Sequence, residues 1–173
     1  MPRVIIETIS QDFRRSKAMV DRAISEIDDA AFFRRCGSVS NPIALIIKHL
    51  AGNLSSRWSD FLGSDGDKPT RDRDGEFRLE AGDTRPSLLA AWERGWATLF
   101  AALDGLSDED LDRTLTIRGE PHTALEALVR GMTHAAYHAG QVMYLVRMVK
   151  PDATWQTIPP GQSASHRAGY LKK

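Results

Sequence analysis

Along this chain, stretches in which apolar residues return every three or four positions alternate with stretches that show no period, and the rhythm predicts four long helices. The first carries Ile6, Ile9, Phe13, Val20, Ala23, Ile24 and Ile27 on one face, with Arg14, Arg15 and Asp21 between them. A helix is expected from residue 3 to 28, its end blurred across Asp28 to Phe33. The second opens at Asn41-Pro42, read as an N-cap followed by proline at the first helical position. Its apolar stripe passes through Leu45, Ile46, Leu50, Leu54, Trp58, Phe61 and Leu62 to Gly63. A third starts near Pro86 and carries Leu88, Leu89, Trp92, Trp96, Leu99, Phe100 and Leu103 before Gly105, an aromatic-rich stripe most simply explained as core. The fourth opens at Thr123 and Glu126, a capping box in which each side chain satisfies the other's free backbone donor. It runs to Val149, where Lys150-Pro151 stops it.

Between the second and third helices, from Gly63 to Arg85, the chain is rich in Gly, Asp and Arg and has no period. A connection of that length is often functional or mobile. Ser107 to Asp110 resembles the start of a short helical turn, and the stretch TLTIRGEPH predicts a brief extended segment and a turn. The segment after Pro151 is rich in Pro, Gly and Ser and is expected to be a tail. Four amphipathic helices with one long crossover predict an all-α chain, a four-helix bundle with short extra helical and extended segments. At 173 residues the simplest organisation is one domain spanning 1–173.

Composition narrows the partners. Lys plus Arg number 23 and Asp plus Glu number 23, so the formal net charge is zero, which disfavours nucleic acid as the main partner. The one cysteine, Cys36, has no second thiol for a disulfide or a Cys-based zinc site, and a reducing compartment, the cytoplasm, is expected. The N-terminal residues interrupt their apolar positions with acidic and polar ones, unlike a signal peptide. No stretch approaches the roughly eighteen apolar residues of a membrane span, so no membrane partner is expected.

The histidines carry the candidate chemistry. His134 and His138 are one helical turn apart, which brings their β-carbons within about 5–6 Å and lets both rings reach one ion. Ala127, Gly131, Ala135, Val142 and Leu145 share the face of His138, and His134 is displaced from it by only about 40°. Both rings therefore face the helix partners, beside residues small enough to leave a cavity. His49 sits among Leu45, Ile46 and Leu50, with Asn53 and Ser56 as polar neighbours. Any one of these histidines is most simply a hydrogen-bonded core residue. Three of them turned inward are costly to bury unless each finds a partner, which points to a metal site.

Three imidazoles leave coordination positions for water or substrate, and zinc, nickel and ferrous iron are all compatible with them. An ion held there lowers the pKa of bound water towards about 7 or activates a substrate thiolate. On the long loop, Arg73, Asp74 and Glu76 are within plausible reach of the pocket mouth, although charged loops are usually solvated. Arg118 and Glu120 fit either substrate orientation or a turn-stabilising ion pair. Asn53 and Gln141 are candidates for holding the histidine rings in place. His122 is assigned to the turn that leads into the fourth helix and His166 to the tail. No Ser-His-Asp signature, phosphate-binding glycine loop or paired-carboxylate motif is present.

Asn41 to Leu50 with His49 near its end, Arg57-Trp58, Phe61-Leu62, the run from Arg71 to Phe77, Ile117 to Glu120, and His134-x3-His138-x2-Gln141 together resemble the DinB-like superfamily of metalloenzymes. The similarity spans nearly the whole chain and is strongest to a branch without an assigned function. It implies an up-down-down-up bundle with His49, His134 and His138 as metal ligands, and in many relatives a homodimer. It also implies a small-molecule substrate and, in some relatives, a low-molecular-weight thiol used in S-transfer or isomerisation. The branch is expected to carry a basic residue in its Pro-Gly-Gln segment, whereas Pro160 precedes Gly161-Gln162 here. Three functions remain in play: a metal-dependent transferase or isomerase, a metal-dependent hydrolase using the same water, and a non-catalytic stress or interaction module braced by its ion.

Overall fold

Most of the predicted helical stretches form helices, and the departures lie at their ends. A computed structural model describes residues 3–155 and 157–165, which leaves His166 outside the described residues. Helix α1 spans Val4–Ser25 and buries Ile6, Ile9, Phe13, Val20, Ala23 and Ile24. The blurred end resolves into a separate short helix, α2 (Asp29–Phe33). Asp28 caps it by accepting a hydrogen bond from the Ala31 amide at 2.8 Å, so the chain restarts instead of extending.

Helix α3 (Ile43–Trp58) corrects two expectations. Its N-cap is Pro42, not Asn41: Pro42 stands at ψ 162°, outside the helix, and makes no side-chain cap. Its fixed φ suits the boundary as well as the first turn, so the dipeptide alone could not place the start. The helix also ends at Trp58, short of Gly63, because Ser59 turns extended and Asp60 adopts a left-handed φ of 47°. Phe61 stays buried and stacks on Trp58 at 4.8 Å. The apolar stripe thus continues across a turn that a period count reads as helix.

Helix α4 (Arg85–Asp104) begins behind Thr84, which forms a capping box with Ser87, and a 3-10 turn at Asp108–Asp110 follows under a Ser107–Asp110 capping box. The expected extended segment is one half of a hairpin. Strands β1 (Thr114–Ile117) and β2 (Glu120–Thr123) pair antiparallel, with Leu115 opposite His122 and Ile117 opposite Glu120. Arg118 and Gly119 form its two-residue turn with φ of 58° and 74°, the left-handed pair that matches strand twist and that glycine adopts without strain. From β2 the chain passes directly into α5 (Ala124–Val149), capped as expected by Thr123 and Glu126.

The protein is mostly helical with this small two-stranded sheet. Helix α3 packs chiefly on α4 and α1 chiefly on α5, with further contacts between α3 and α5 and between α1 and α4. One apolar cluster runs through all four, and within it Phe13 meets Trp58 and Trp96 edge to face at 5.6 and 6.1 Å. Trp92 is buried in the same cluster and donates its indole N–H to Asp21 at 2.8 Å. The α3–α5 contact brings His49 opposite the pair on α5. Among the described residues no helix is long and apolar enough to cross a membrane.

Candidate metal centre

His49 and His138 are buried and His134 is partly so, and the three rings converge from α3 and α5. The Nε2 atom of His134 lies 3.3 Å from that of His49 and 3.1 Å from that of His138. One nitrogen from each of the three residues falls within 4.8 Å of the other two. An ion bound at 2.0–2.1 Å in tetrahedral geometry separates neighbouring nitrogens by about 3.3–3.4 Å, so the spacing fits a shared ion.

Hydrogen bonds on the far sides of two rings fix where their protons sit. His49 Nδ1 donates to Glu76 Oε2 at 2.8 Å, and His138 Nδ1 donates to Gln141 Oε1 at 2.7 Å. Gln141 is itself held by donating to the Tyr137 hydroxyl at 2.9 Å. With those protons placed outward, each ring in its neutral form turns a bare lone pair toward His134. His134 can contribute at most one proton to two close contacts. At least one of the two contacts therefore lacks a hydrogen bond unless a cation lies between the nitrogens, a donor set suited to a metal.

Glu76 arrives from the long loop. Its carboxylate accepts from Arg71 twice, Nε to Oε1 at 2.7 Å and Nη2 to Oε2 at 2.8 Å, while bonding His49. Burial opposes its ionisation, yet the hydrogen bonds from Arg71 and His49 hold its pKa below the usual carboxylate range. Gly52 makes the approach possible, because a β-carbon there would fall onto the Glu76 carboxylate. Phe77, the next residue along the loop, stacks on His49 at 4.6 Å between centroids. The network continues from Arg71 to Asp67 and from Asp67 to Arg118 in the hairpin turn, at 3.2 and 2.9 Å.

Comparison with known proteins places the chain in a family. Residues 2–162 match the family described as protein of unknown function, DUF1572. The chain belongs to that family. No curated protein matches it. Among solved structures, a conserved protein from Enterococcus faecalis matches with a TM-score of 0.66 and 17% identity, over 88% of this chain and all of that one. That likeness concerns the fold.

In this DUF1572 chain, burial is the leading cause that lowers the pKa of His134, to about 3, and the charges of His138, His49, Arg57 and Arg71 add to it. Burial also lowers that of His138, against the hydrogen bond to Gln141 and together with the charge a protonated His49 carries. Both rings are neutral at ordinary pH, the state in which imidazole binds metal. Beside them opens a cavity of about 540 Å³ lined by His49, Asn53, Arg57, Arg71, Arg73, Arg118, Arg130, Gly131, Thr133, His134 and Tyr137.

The structure sorts the other sequence-derived residues. Glu76 and Gln141 reach the histidines, while Asn53, Arg73 and Arg118 line the cavity. Arg118 pairs with Asp67, not with Glu120, which is exposed on β2. Asp74 precedes the 3-10 turn Gly75–Phe77, and Ser56 bonds the loop at Gly66 and Lys68 instead of facing the site. Of the small residues on α5, Gly131 lines the cavity, whereas Ala127 and Ala135 are packed into the core. His122 lies on β2 and bonds the Glu120 carbonyl. Cys36 lines a different cavity, beside Gln141, Tyr144 and Met148. Sequence reasoning passed over Gly52 and Arg130, and used Arg57 and Arg71 only as parts of motifs.

Proposed function

We propose that this protein is a metal-dependent enzyme of the DinB-like kind, an up-down-down-up four-helix bundle in which His49, His134 and His138 hold one divalent ion. The supporting observation is the convergence of three Nε2 atoms that, with the rings neutral, can carry at most one proton between them, with His49 and His138 pinned from behind by Glu76 and Gln141. Zinc, nickel and ferrous iron all suit the donor set. A bound ion would supply Lewis acidity, lowering the pKa of a coordinated thiol or water and polarising a carbonyl. Glu76 keeps the Nδ1 proton on His49 and thereby aims its Nε2 at the site, and Gln141 does the same for His138. Phe77 covers one face of His49 and restricts water there. The cavity opens beside His134, which is where a small substrate has access.

The reaction we favour is S-transfer or isomerisation with a low-molecular-weight thiol, in an intracellular homodimer. Support for the thiol and the dimer comes from the sequence resemblance, to which α5 adds the exposed side chains of Tyr144 and Met148. Elemental analysis of purified wild type beside His134→Ala tests the centre: near-stoichiometric metal lost in the variant is expected, and metal-free wild type after loading would end the proposal. Loaded protein is then screened with thiol-plus-electrophile mixtures and with ester and amide panels. Turnover that requires thiol is expected, and turnover only in its absence would replace the transferase with a hydrolase.

A further inference from the structure

Five arginines, Arg57, Arg71, Arg73, Arg118 and Arg130, wall the cavity beside the histidines, and no carboxylate lines it. Two of them are already neutralised. Arg71 is bound by Glu76 and Asp67, and Arg118 shares Asp67. The other three form no ion pair among the described residues. Arg73 lies over the Phe77 ring at 5.8 Å, and Arg130 reaches only the His122 ring, at 3.4 Å.

Arg57 is the most exposing of the chemistry. It is 7% exposed, and its Nη1 is buried without a hydrogen-bond partner. The side chain borders the cavity while its Nη1 has almost no accessible surface, and a largely buried cation without an anion is costly. Burial first, then the charges of Arg130 and Arg71, lower its pKa to about 10, with Asp67 opposing. Asp67 bonds Arg71 and Arg118 and makes no hydrogen bond to Arg57. A planar fork of donors of this kind matches an oxyanion.

We infer that the cavity receives a small organic anion with at least two negative groups, one oxyanion held by Arg57 and Arg130 while another part of the molecule faces the three histidines. The inference narrows the substrate class of the proposed enzyme and rests on that reading only for what the far end of the anion meets. Carboxylate and phosphate share the chemistry that the arginines recognise. A neutral or cationic substrate does not fit a wall with three unpaired cations.

Calorimetric titration at constant ionic strength tests it, with the protein both as purified and after chelation. The probes are succinate, inorganic phosphate and the uncharged analogue succinamide. Saturable binding of succinate or phosphate is expected, with succinamide at least about tenfold weaker. Whichever anion binds more tightly names the oxyanion. Arg57→Met and, at a more exposed position, Arg130→Gln should each weaken it about tenfold or more, while Arg113→Gln, outside the cavity, leaves it nearly unchanged. Equal affinity for charged and uncharged probes, or undiminished anion binding in Arg130→Gln and in any Arg57→Met protein that folds, would overturn the inference. Metal uptake measured on the same preparations separates the two readings: anion binding without metal uptake sinks only the metal centre, and metal uptake without anion preference sinks only the anion site.

Discussion

Replacing Glu76 by glutamine keeps the side chain's size and removes the charge shared by His49 and Arg71. The carboxylate accepts three hydrogen bonds, one from His49 Nδ1 and two from Arg71. Glutamine has one acceptor oxygen, so its amide NH2 must face a donor. At least one charge-assisted bond is lost, about 1.5–3 kcal/mol, and Arg71, with its side chain only 4% exposed, keeps Asp67 alone. Asp67 prevents the full penalty of a stranded buried charge, which would be about 3–5 kcal/mol. A destabilisation of about 3 kcal/mol follows, a melting temperature lower by roughly 6–12 °C for a chain of this size. Loss of the partner that orients His49 should also weaken metal binding about 10–100-fold.

Thermal melts of the metal-free variant and chelator-competition titrations with zinc read the two effects independently. Metal affinity within twofold of wild type, in a variant that melts early but folds, would refute the claim that Glu76 orients His49. It would leave Glu76 as a staple for the loop. An unchanged melting temperature would refute the buried network itself.

Gly52→Ala should reproduce the loss of metal affinity without touching a charge, since the added methyl displaces the Glu76 carboxylate; alanine's helix preference of about 1 kcal/mol works the other way, so an unchanged metal titration would show that the loop moves freely. Metal-free protein should lose stability as the pH falls from 6.5 towards 4. The pKa of His134 is lowered to about 3 in the folded state, so between those values the unfolded chain binds the extra proton and folding is opposed. Allowing for the ring's partial exposure, the slope is about 1 kcal/mol per pH unit, measurable by urea denaturation and reduced in His134→Leu. The lowered pKa of Glu76 acts in the same direction at lower pH, its stabilisation being present above the ordinary carboxylate range and lost below it. Thr123→Ala should cost about 1 kcal/mol through the lost cap of α5 and leave metal stoichiometry intact; loss of metal in that variant would show that the helix start positions His134.

The helices were legible because burial imposes a period that survives in composition: Phe13, Trp58, Trp92 and Trp96 fall on apolar stripes and meet in one cluster. Helix ends were less legible. Phe61 continues the stripe of α3 from a turn, and Pro42 has the same φ on either side of a boundary. The second strand, with Pro121 and polar neighbours, gives no alternation to detect, and is recognisable only beside β1. The histidine cluster was readable from spacing and from its apolar surroundings.

The sequence offered Arg73, Asp74 and Glu76 as able to reach the pocket, but not how their loop folds back. Glu76 is 27 residues from His49, in a stretch without period, and only the packing of Gly75–Phe77 on α3 joins them. Arg57 and Arg130 are different, because their signal was present. The four-residue step from His134 to His138 runs one turn back to Arg130, and the same step leads from His49 through Asn53 to Arg57. Each ladder sets imidazoles at one end of a helix face and a cation at the other, and all of these except His138 line one cavity. An arginine in step with an inward histidine is therefore a reason to look for an anion between the helices, and here Arg57 and Arg130 line the cavity without an ion-pair partner among the described residues.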